Sequence, residues 1–373
     1  MKTVLILGGS LGGLAVAHQL LKKTRPYVKH LRVILVSKNS HFYWCLASVR
    51  AVVPDLVQDS QILQPIEPGL RQYPEGSVQF IIGTASSIDV TERRVRVSAH
   101  DTPDREIKYD YLVVATGAEA AARDMPWKAS GSYEECLSSL HRTADRIRTA
   151  EHVVVGGGGA TGVELAAEIK HEFPSKTVVL VNSSDKLVSG DSSASSVESE
   201  LLRLGVVVTK GVRGTPSDDA SRADGKTVVN LSDGNNLLTD LYLPTTGLSP
   251  NTGFLPGGWL TDGGYVQVDD FMRVPAAPDV WALGDVVSKP RASFLVTEAQ
   301  AAGVARNVGL VLQGKDQRTV SNPPLDIFLC SIGRSRGAGH LGPIPVPSFL
   351  VWAIKGRTLG MERTVKYANG TMW

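Results

Sequence analysis

Two glycine-rich turns carry the strongest chemical signal in this sequence. The first occupies residues 8–13 and the second residues 157–162. Where such a turn joins a strand to a helix, the missing side chains let a pyrophosphate approach the backbone, and the positive end of the helix dipole attracts it. We therefore predict that each turn binds the phosphates of one dinucleotide. The predicted contacts are Gly8, Gly9, Ser10, Leu11, Gly12 and Gly13 in the first turn and Gly157, Gly159 and Gly162 in the second.

Three positions depart from the usual pattern of such turns. Ser10 replaces the middle glycine of the first turn, which its small side chain permits. An acidic residue usually ends the second strand of the unit and binds the ribose, but Ser37 and Asn182 stand at the two corresponding places. Ser37 can still hydrogen-bond a ribose hydroxyl. Asn182 lacks the carboxylate that repels a 2′-phosphate, so the choice between NADH and NADPH stays open.

The two turns lie inside two repeats of one β-turn-α-β unit. Residues 4–7 and 153–155 are continuous apolar runs, which is typical of strands buried on both faces of a parallel sheet. Apolar residues at helical spacing follow each turn, and a further buried strand follows each helix. Each unit is closed later by a strand that ends in Thr-Gly, at Thr116-Gly117 and at Thr246-Gly247. The pattern predicts an α/β fold with two Rossmann-like dinucleotide-binding domains.

The composition excludes several other classes of protein. Apolar residues make up 42% and charged residues 20% of the chain, which is typical of a folded globular protein. The net charge of +2 and the scattered basic residues argue against a specific nucleic-acid partner. No apolar run approaches the roughly 20 residues of a membrane-spanning helix. The first strand begins at Thr3, so we expect no presequence and a cytoplasmic protein. The oligomeric state stays unknown at this level.

The cysteines indicate neither a metal site nor a redox dithiol. Cys45, Cys136 and Cys330 lie far apart and form no Cys-x-x-Cys or Cys-x-x-x-x-Cys pair. Such pairs are the usual sequence signature of a metal knuckle or of a local redox disulfide. We therefore predict no bound metal and no dithiol chemistry.

Five segments in combination resemble the apoptosis-inducing-factor-like (AMID-type) NAD(P)H oxidoreductases, which are flavoproteins with two dinucleotide-binding domains. The ferroptosis-suppressor-type quinone reductases and the type II NADH dehydrogenases look like relatives. The resemblance implies FAD at the first turn, with Ser37, Thr116 and Gly117 among its contacts, and NAD(P)H at the second turn. The matching segments are residues 8–13, 110–117, 155–168, 245–252 and 280–286.

The resemblance also implies roles for four residues outside the turns. Asp285 falls where such families place an aspartate on the ribityl chain of FAD, and a carboxylate accepts hydrogen bonds from hydroxyl groups. Arg50 falls where relatives place an arginine against the flavin or its phosphates, with a surface arginine as the alternative. Ala85 falls where the backbone meets adenine. Glu164 corresponds to a glutamate that faces the nicotinamide and the flavin; the alternative is that it only complements the helix dipole.

The expected reaction passes electrons from NAD(P)H through the flavin to a quinone or another small acceptor. Disulfide reductases on this fold use a dithiol beside the flavin, and Cys45 lies in the corresponding region without a partner in sequence. Electrons must then leave the reduced flavin directly. Two alternatives stay open: a tailoring oxidoreductase of a secondary-metabolite pathway, and a redox-sensing or cell-death effector.

The order of the segments predicts a split flavin domain. Residues 1–118 and 248–325 are predicted to form the FAD-binding domain, residues 119–247 the NAD(P)-binding domain, and residues 326–373 a small C-terminal region. Residues 349–357 form an apolar segment that ends in basic residues. In related quinone reductases the C-terminal region shapes the acceptor site and can rest on a membrane. Peripheral membrane contact is one expectation for it, and a helix packed on the flavin domain is the other.

Overall fold

The protein is described by a computed structural model that covers residues 1–99, 102–129, 131–217, 225–287 and 293–373. Two parallel sheets of different size form its centre. Helices pack against these sheets, and the remaining strands form small antiparallel sheets.

The larger parallel sheet has six strands that come from two separate stretches of chain. All neighbouring strands are parallel except the antiparallel pair at one edge. Val4, Leu5 and Ile6 are fully buried, because a parallel sheet is covered on both faces. The strand that precedes Asp285 thus lies in the same sheet as the strand that precedes the first glycine turn. The order across the sheet is Arg273–Val274, Ala277–Ala282, Tyr111–Val114, Lys2–Leu7, Leu31–Ser37 and Val78–Ile82.

The smaller parallel sheet has four strands and contains the second glycine turn. Its strand His152–Gly156 leads into that turn, and the next strand along the chain, Thr177–Val181, ends just before Asn182. The carboxyl ends of parallel strands lie at one edge, so the turn and Asn182 are neighbours there. The order is Val207–Thr209, Thr177–Val181, His152–Gly156 and Leu241–Pro244.

Short antiparallel sheets connect and flank the two nucleotide units. Ala118–Ala120 pairs with Leu248–Pro250, next to the strands that border the smaller parallel sheet in the sequence. A hairpin of Ile327–Ile332 and Arg336–Leu341, extended by Ile344–Pro345, forms the C-terminal sheet. The other strands are His41–Tyr43 with Leu63–Pro65; Thr84–Asp89, Arg94–Ala99 and Thr102–Lys108; and Gly214–Pro216, Thr227–Leu231 and Asn236–Thr239.

In the described part of the chain, five longer helices pack on the sheets, and short helices lie in the connections. Within the described ranges, none of them combines the length and the apolar character that crossing a bilayer requires. The longer helices are Leu11–Gln19, which continues as a π-helical segment Leu20–Thr24, Tyr133–Thr149, Ala160–Glu172, Ala194–Leu204 and Phe294–Leu312. The short α-helices are Ser48–Ala51, Asp59–Ile62, Ile66–Leu70, Ser348–Val351 and Thr364–Ala368, and Trp352–Gly356 is π-helical. The 3-10 turns are Cys45–Ala47, Val188–Gly190, Gly257–Trp259, Gly284–Val286 and Met361–Arg363.

The two parallel sheets confirm the predicted α/β fold with two Rossmann-like units. Each unit begins with a strand, a glycine turn and a helix, as the repeated sequence pattern predicts. The division of the chain into the ranges 1–118, 119–247, 248–325 and 326–373 stays a prediction.

Candidate functional site

The first glycine turn is tight because two of its glycines have no space for a side chain. Gly8 has a φ of +111°, and a Cβ built on it would lie 2.1 Å from the Ala115 carbonyl oxygen. A Cβ on Gly13 would lie 1.9 Å from the Gly8 carbonyl oxygen. The turn therefore brings the helix Leu11–Gln19 against the end of its strand, with the backbone uncovered toward a ligand.

In the first turn, Gly9 contacts Ser37, which is itself a predicted FAD-binding residue. A Cβ on Gly9 would lie 2.6 Å from the Ser37 Cβ, so Ser37 is beside the turn, where its hydroxyl donates to the Asn39 carbonyl at 2.8 Å. Among the described residues, the Ser10 hydroxyl makes no capping hydrogen bond. The first N–H groups of the helix that starts at Leu11 thus stay available for phosphate oxygens.

Asp285 follows the segment that packs on the first turn. A Cβ on Gly12 would lie 3.0 Å from the Leu283 side chain, two residues before Asp285. The Asp285 carboxylate pairs with the ammonium of Lys128, and both side chains are partly exposed. The Gly284 N–H donates to the Gln300 Oε1 at 2.8 Å. The Gln300 side-chain nitrogen is buried and has no partner among the described residues, so it offers a free donor near Asp285.

Thr116 and Gly117 follow the strand Tyr111–Val114 of the six-stranded sheet, and Ala85 lies in the strand Thr84–Asp89. The Thr116 hydroxyl donates to the Asn251 carbonyl at 2.8 Å, and the Asn251 side-chain amide donates to the Thr116 carbonyl at 2.9 Å. These bonds join the two chain segments that connect the two units. Gly117 has a φ of +67°, and no described atom lies within 4 Å of a Cβ built on it. Ala85 is partly buried in the strand Thr84–Asp89. Their contacts with FAD stay predictions.

The second glycine turn repeats the geometry of the first. Gly157 has a φ of +115°, and a Cβ on Gly162 would lie 1.8 Å from the Gly157 carbonyl oxygen. Gly159 differs, because no described atom lies within 4 Å of its Cβ position. It precedes the helix Ala160–Glu172 directly. Gly159 therefore borders open space at the helix N-terminus, where a pyrophosphate fits.

The Asn182 side chain organises the loop that follows its strand. Its Oδ1 accepts from the Gly158 N–H at 3.2 Å, and its Nδ2 donates to the carbonyls of Ser184 and Lys186 at 2.7 and 3.0 Å. No carboxylate stands at this position, so a 2′-phosphate meets no fixed negative charge from it.

Glu164 connects the second turn to the C-terminal region. The residue is 5% exposed. Its Oε1 accepts from the Ser331 N–H at 2.9 Å and the Ser331 hydroxyl at 3.2 Å, and it lies 2.7 Å from the Lys355 Nζ. Burial lowers the pKa of Lys355, but the Glu164 carboxylate and the nearby Cys330 together raise it, and the net pKa is above its ordinary value. Lys355 is therefore protonated at neutral pH.

Arg50 lies in a buried ion pair instead of at an open phosphate site. Its Nε and Nη2 donate to the Glu168 Oε1 at 3.0 and 2.5 Å. Its remaining contacts are with the carbonyls of Gly356 and Arg357. A direct contact between Arg50 and the flavin or its phosphates stays a prediction, and these partners favour a different role.

Three residues of the site were not among the predicted site residues. Lys128, Gln300 and Lys355 enter it through contacts with distant residues. For Lys355 a signal was present, since it lies in the apolar segment with a basic end at residues 349–357. Lys128 and Gln300 carry no local motif.

The residues present fit two dinucleotides. The first turn offers backbone N–H groups, a carboxylate at Asp285 and a free amide at Gln300, which suit the pyrophosphate and the hydroxyl groups of FAD. The second turn offers the open N-terminus at Gly159 and an ion pair at Glu164, which suit a nicotinamide dinucleotide.

Comparisons with known proteins show the family of the chain. Residues 2–303 match the family described as pyridine nucleotide-disulphide oxidoreductase. Oxidoreductase ptaL of Pestalotiopsis fici is 34% identical over 378 residues, which is 100% of each chain. Ferroptosis suppressor protein 1 of Xenopus tropicalis is 28% identical over 382 residues, covering 99% of this chain and 96% of the relative.

A solved structure shows the same fold. The sulfide:quinone oxidoreductase from Aquifex aeolicus has a TM-score of 0.79 at 16% identity, covering 99% of this chain and 92% of that chain. The predicted resemblance to flavin-dependent NAD(P)H oxidoreductases is confirmed by the family match and the relatives. This chain belongs to the pyridine nucleotide-disulphide oxidoreductase family and is an FAD-dependent oxidoreductase that uses NAD(P)H.

Proposed function

We propose that this oxidoreductase passes electrons from NAD(P)H at the second glycine turn, through FAD at the first turn, to a quinone or a similar small acceptor. The proposal rests on one observation: two glycine turns with the same geometry follow strands of two different parallel sheets. The sulfide:quinone oxidoreductase that shares the fold takes a quinone, as its name states.

The division of labour follows from the residues at each turn. FAD supplies the electron chemistry when bound, because it accepts two electrons from a nicotinamide and returns them to another oxidant. The first turn and Asp285 hold this group, and the second turn orients NAD(P)H against it. Glu164 lies two residues after Gly162, near the N-terminus of the helix Ala160–Glu172, which is the end that faces the nicotinamide dinucleotide in this proposal.

Lys355 supplies a fixed positive charge beside Glu164. Its Nζ is held by the Glu164 carboxylate at 2.7 Å and by the Leu329 carbonyl at 2.9 Å. A preorganised cation stabilises negative charge that develops on an acceptor oxygen during reduction. We assign this role to Lys355 in the proposed reaction.

The thiols of Cys45 and Cys330 are poorly suited to carry the electrons. All three cysteines lie in the described part of the chain, and none forms a disulfide there. Burial raises the pKa of the Cys45 thiol and raises that of Cys330 well above its ordinary value. Both are therefore neutral and weakly nucleophilic at neutral pH.

The test is acceptor-dependent oxidation of NADH and NADPH by the purified, flavin-loaded protein with a panel of quinones. We expect rapid oxidation with several simple quinones. Turnover restricted to one elaborate metabolite would favour the tailoring alternative, and slow turnover with a long-lived reduced complex would favour the effector alternative. No oxidation of either coenzyme with any acceptor would refute the proposal.

We also propose that the C-terminal region contacts a membrane surface peripherally. Ile344, Phe349 and Ile354 are 60–66% exposed, and the basic residue Arg357 nearby is exposed. Exposed apolar side chains with basic neighbours are typical of interfacial segments. Such contact would bring the region beside Lys355 close to an acceptor dissolved in lipid.

Flotation with anionic phospholipid vesicles tests the membrane contact. We expect the wild-type protein to float with the vesicles and the double variant Phe349→Ser/Ile354→Ser to remain behind. Tyr27→Ser is the control, since Tyr27 is 79% exposed on the flavin part. A wild-type protein that does not float contradicts the proposal.

A further inference from the structure

We propose that Arg50 is a positioning residue, which holds the backbone beside Lys355 and thereby fixes the Glu164–Lys355 contact. This inference rests on the proposed function, in which Lys355 faces the acceptor. Residues 352–357, called the strap here, contain Lys355 and follow the short helix Ser348–Val351.

The Arg50 guanidinium binds the strap through two successive carbonyl groups. Its Nη2 donates to the Gly356 carbonyl at 2.7 Å and its Nη1 to the Arg357 carbonyl at 3.1 Å. These are the two residues directly after Lys355. A planar guanidinium presents several N–H donors in fixed directions, so one side chain restrains both peptide groups.

One helix carries both carboxylates that bind Lys355 and Arg50. Glu164 and Glu168 lie four residues apart on the helix Ala160–Glu172, which places them on the same face. Glu164 binds the Lys355 ammonium, and Glu168 binds Arg50. The strap is therefore restrained at the Lys355 side chain and at the adjoining backbone, by two carboxylates of the helix that starts at the second glycine turn.

Stability alone does not explain the Arg50–Glu168 pair. Its side chains are 4% and 0% exposed, and burying two charges costs about as much as their attraction returns. The second Glu168 oxygen is buried with no partner among the described residues. A well-packed apolar pair would hold the elements together equally well, but it could not bind two carbonyls. The feature that distinguishes the Arg50–Glu168 pair from an apolar pair is therefore the hydrogen bonding of Arg50 to the two strap carbonyls.

The enclosed position also separates this role from direct contact with a cofactor. The guanidinium is surrounded by Glu168 and the strap, so Arg50 acts through Lys355. Loss of Arg50 should then change the turnover rate more than coenzyme binding, because the second glycine turn is untouched.

The first experiment compares Arg50→Lys with Arg50→Met in quinone-dependent turnover. We expect the KM for the coenzyme and the flavin content to stay within about twofold of wild type. We expect kcat to fall by about tenfold in Arg50→Lys and further in Arg50→Met, since displacement of about 1 Å costs up to about 100-fold. Arg334→Lys is the matched control, because Arg334 pairs with Glu172 one turn further along the same helix, and its kcat should stay unchanged.

A double variant separates positioning from plain stability. Arg50→Met/Glu168→Met removes both buried charges and keeps an apolar contact, so its thermal midpoint should match wild type. Its kcat should nevertheless stay as low as that of Arg50→Met. Recovery of wild-type kcat in the double variant would overturn the inference.

A second readout is independent of turnover. Amide hydrogen exchange in a peptide covering residues 352–359 should become faster in the double variant, and exchange elsewhere should not. Unchanged exchange there would also overturn the inference. If the wild-type protein oxidises neither coenzyme, the proposed function fails; if it is active and both Arg50 variants keep wild-type kcat, only this inference fails.

Discussion

At the scale of single residues, the glycines of the second turn have different tasks. Gly157 and Gly162 are required by the backbone, because a side chain would strain or displace it. Gly159 faces open space and has a φ of −71°, which any residue can adopt. A side chain there enters only the volume that the pyrophosphate needs.

We therefore predict that Gly159→Val keeps its fold and its flavin but loses reduction by NAD(P)H. Its flavin should still be reduced by dithionite, because the flavin is bound by the other unit. Rapid mixing with either coenzyme, followed by absorbance at about 450 nm where oxidised flavin absorbs, measures the effect. Gly258→Val is the control, since no described atom lies within 4 Å of its Cβ position either. Bleaching of Gly159→Val at the wild-type rate would place the nicotinamide site elsewhere.

A second residue-scale prediction concerns Asp285. Asp285→Ala removes hydrogen bonds of a carboxylate to the ribityl hydroxyls, each worth about 1.5–3 kcal/mol, and leaves Lys128 without its partner. FAD affinity should fall by about tenfold or more, measured as flavin retained after dialysis. Asp279→Ala is the control, because Asp279 pairs with Arg93 away from the turns. Equal flavin retention in Asp285→Ala and wild type would remove Asp285 from the site.

At the scale of elements, the helix Ala160–Glu172 joins the second unit to the C-terminal region. Its acidic residues 164, 168 and 172 recur every fourth position, and each meets a basic side chain from another element. The same helix begins at the predicted pyrophosphate site. The predicted coenzyme site and the carboxylates that bind Lys355 and Arg50 therefore lie on one helix.

The element-scale prediction is that Glu164→Gln destabilises the protein at neutral pH but not in strong alkali. Lys355 has a raised pKa when folded, so its contribution to stability is present below its unfolded pKa of about 10.4 and is lost as the pH rises through the folded pKa. Urea unfolding at pH 8 should give a lower free energy of unfolding for the variant than for wild type. This difference in free energy should shrink above about pH 10.4. Turnover should slow more than coenzyme binding weakens.

Glu362→Gln provides the control for this comparison. Glu362 is largely exposed and comes no closer than 4.0 Å to Arg363. Its replacement should therefore leave the free energy of unfolding nearly unchanged across the same pH range. A difference between Glu164→Gln and wild type that persists above the folded pKa of Lys355 would show that the ion pair is not its source.

At the scale of the whole molecule, the C-terminal region packs on both nucleotide units. The hairpin Ile327–Leu341 contacts the unit of the smaller parallel sheet through Glu164, while Tyr367 and Trp373 pack on the unit of the larger sheet. Tyr367 is stacked on Phe42 at 5.3 Å between ring centroids and meets Trp373 at 4.9 Å. Trp373 also stacks on His18 of the helix Leu11–Gln19, with 5.6 Å between the ring centroids, so the C-terminal region packs on the first helix.

We predict that Tyr367→Ala lowers the free energy of unfolding of the whole protein by about 3–5 kcal/mol, the usual cost of removing a buried aromatic ring. Tyr367 is fully buried, and its hydroxyl also binds Glu298. Thermal unfolding measures the loss, and Tyr27→Ala at the surface should show almost none. An unchanged midpoint in Tyr367→Ala would mean that the C-terminal region does not contribute to the common core.

The sequence alone determined the features that depend on neighbouring residues. The two glycine turns could be predicted because a tight turn between a buried strand and a helix needs glycine at set spacings, and these spacings are local. The α/β fold followed from apolar runs and helical periodicity for the same reason. Asp285 was recognised through the segment around it, and its contact with FAD stays a prediction.

Only the tertiary structure decided which distant side chains meet. Glu164 and Ser331 are 167 residues apart and Arg50 and Glu168 are 118 apart in the chain, and no local pattern encodes such pairs. An arginine or lysine in a sequence has the same charge wherever it lies, and only burial and the nearest carboxylate determine what it does. That is why the contacts of Arg50 with Glu168 and the strap cannot be predicted from the sequence, while its contact with the flavin or its phosphates stays a prediction.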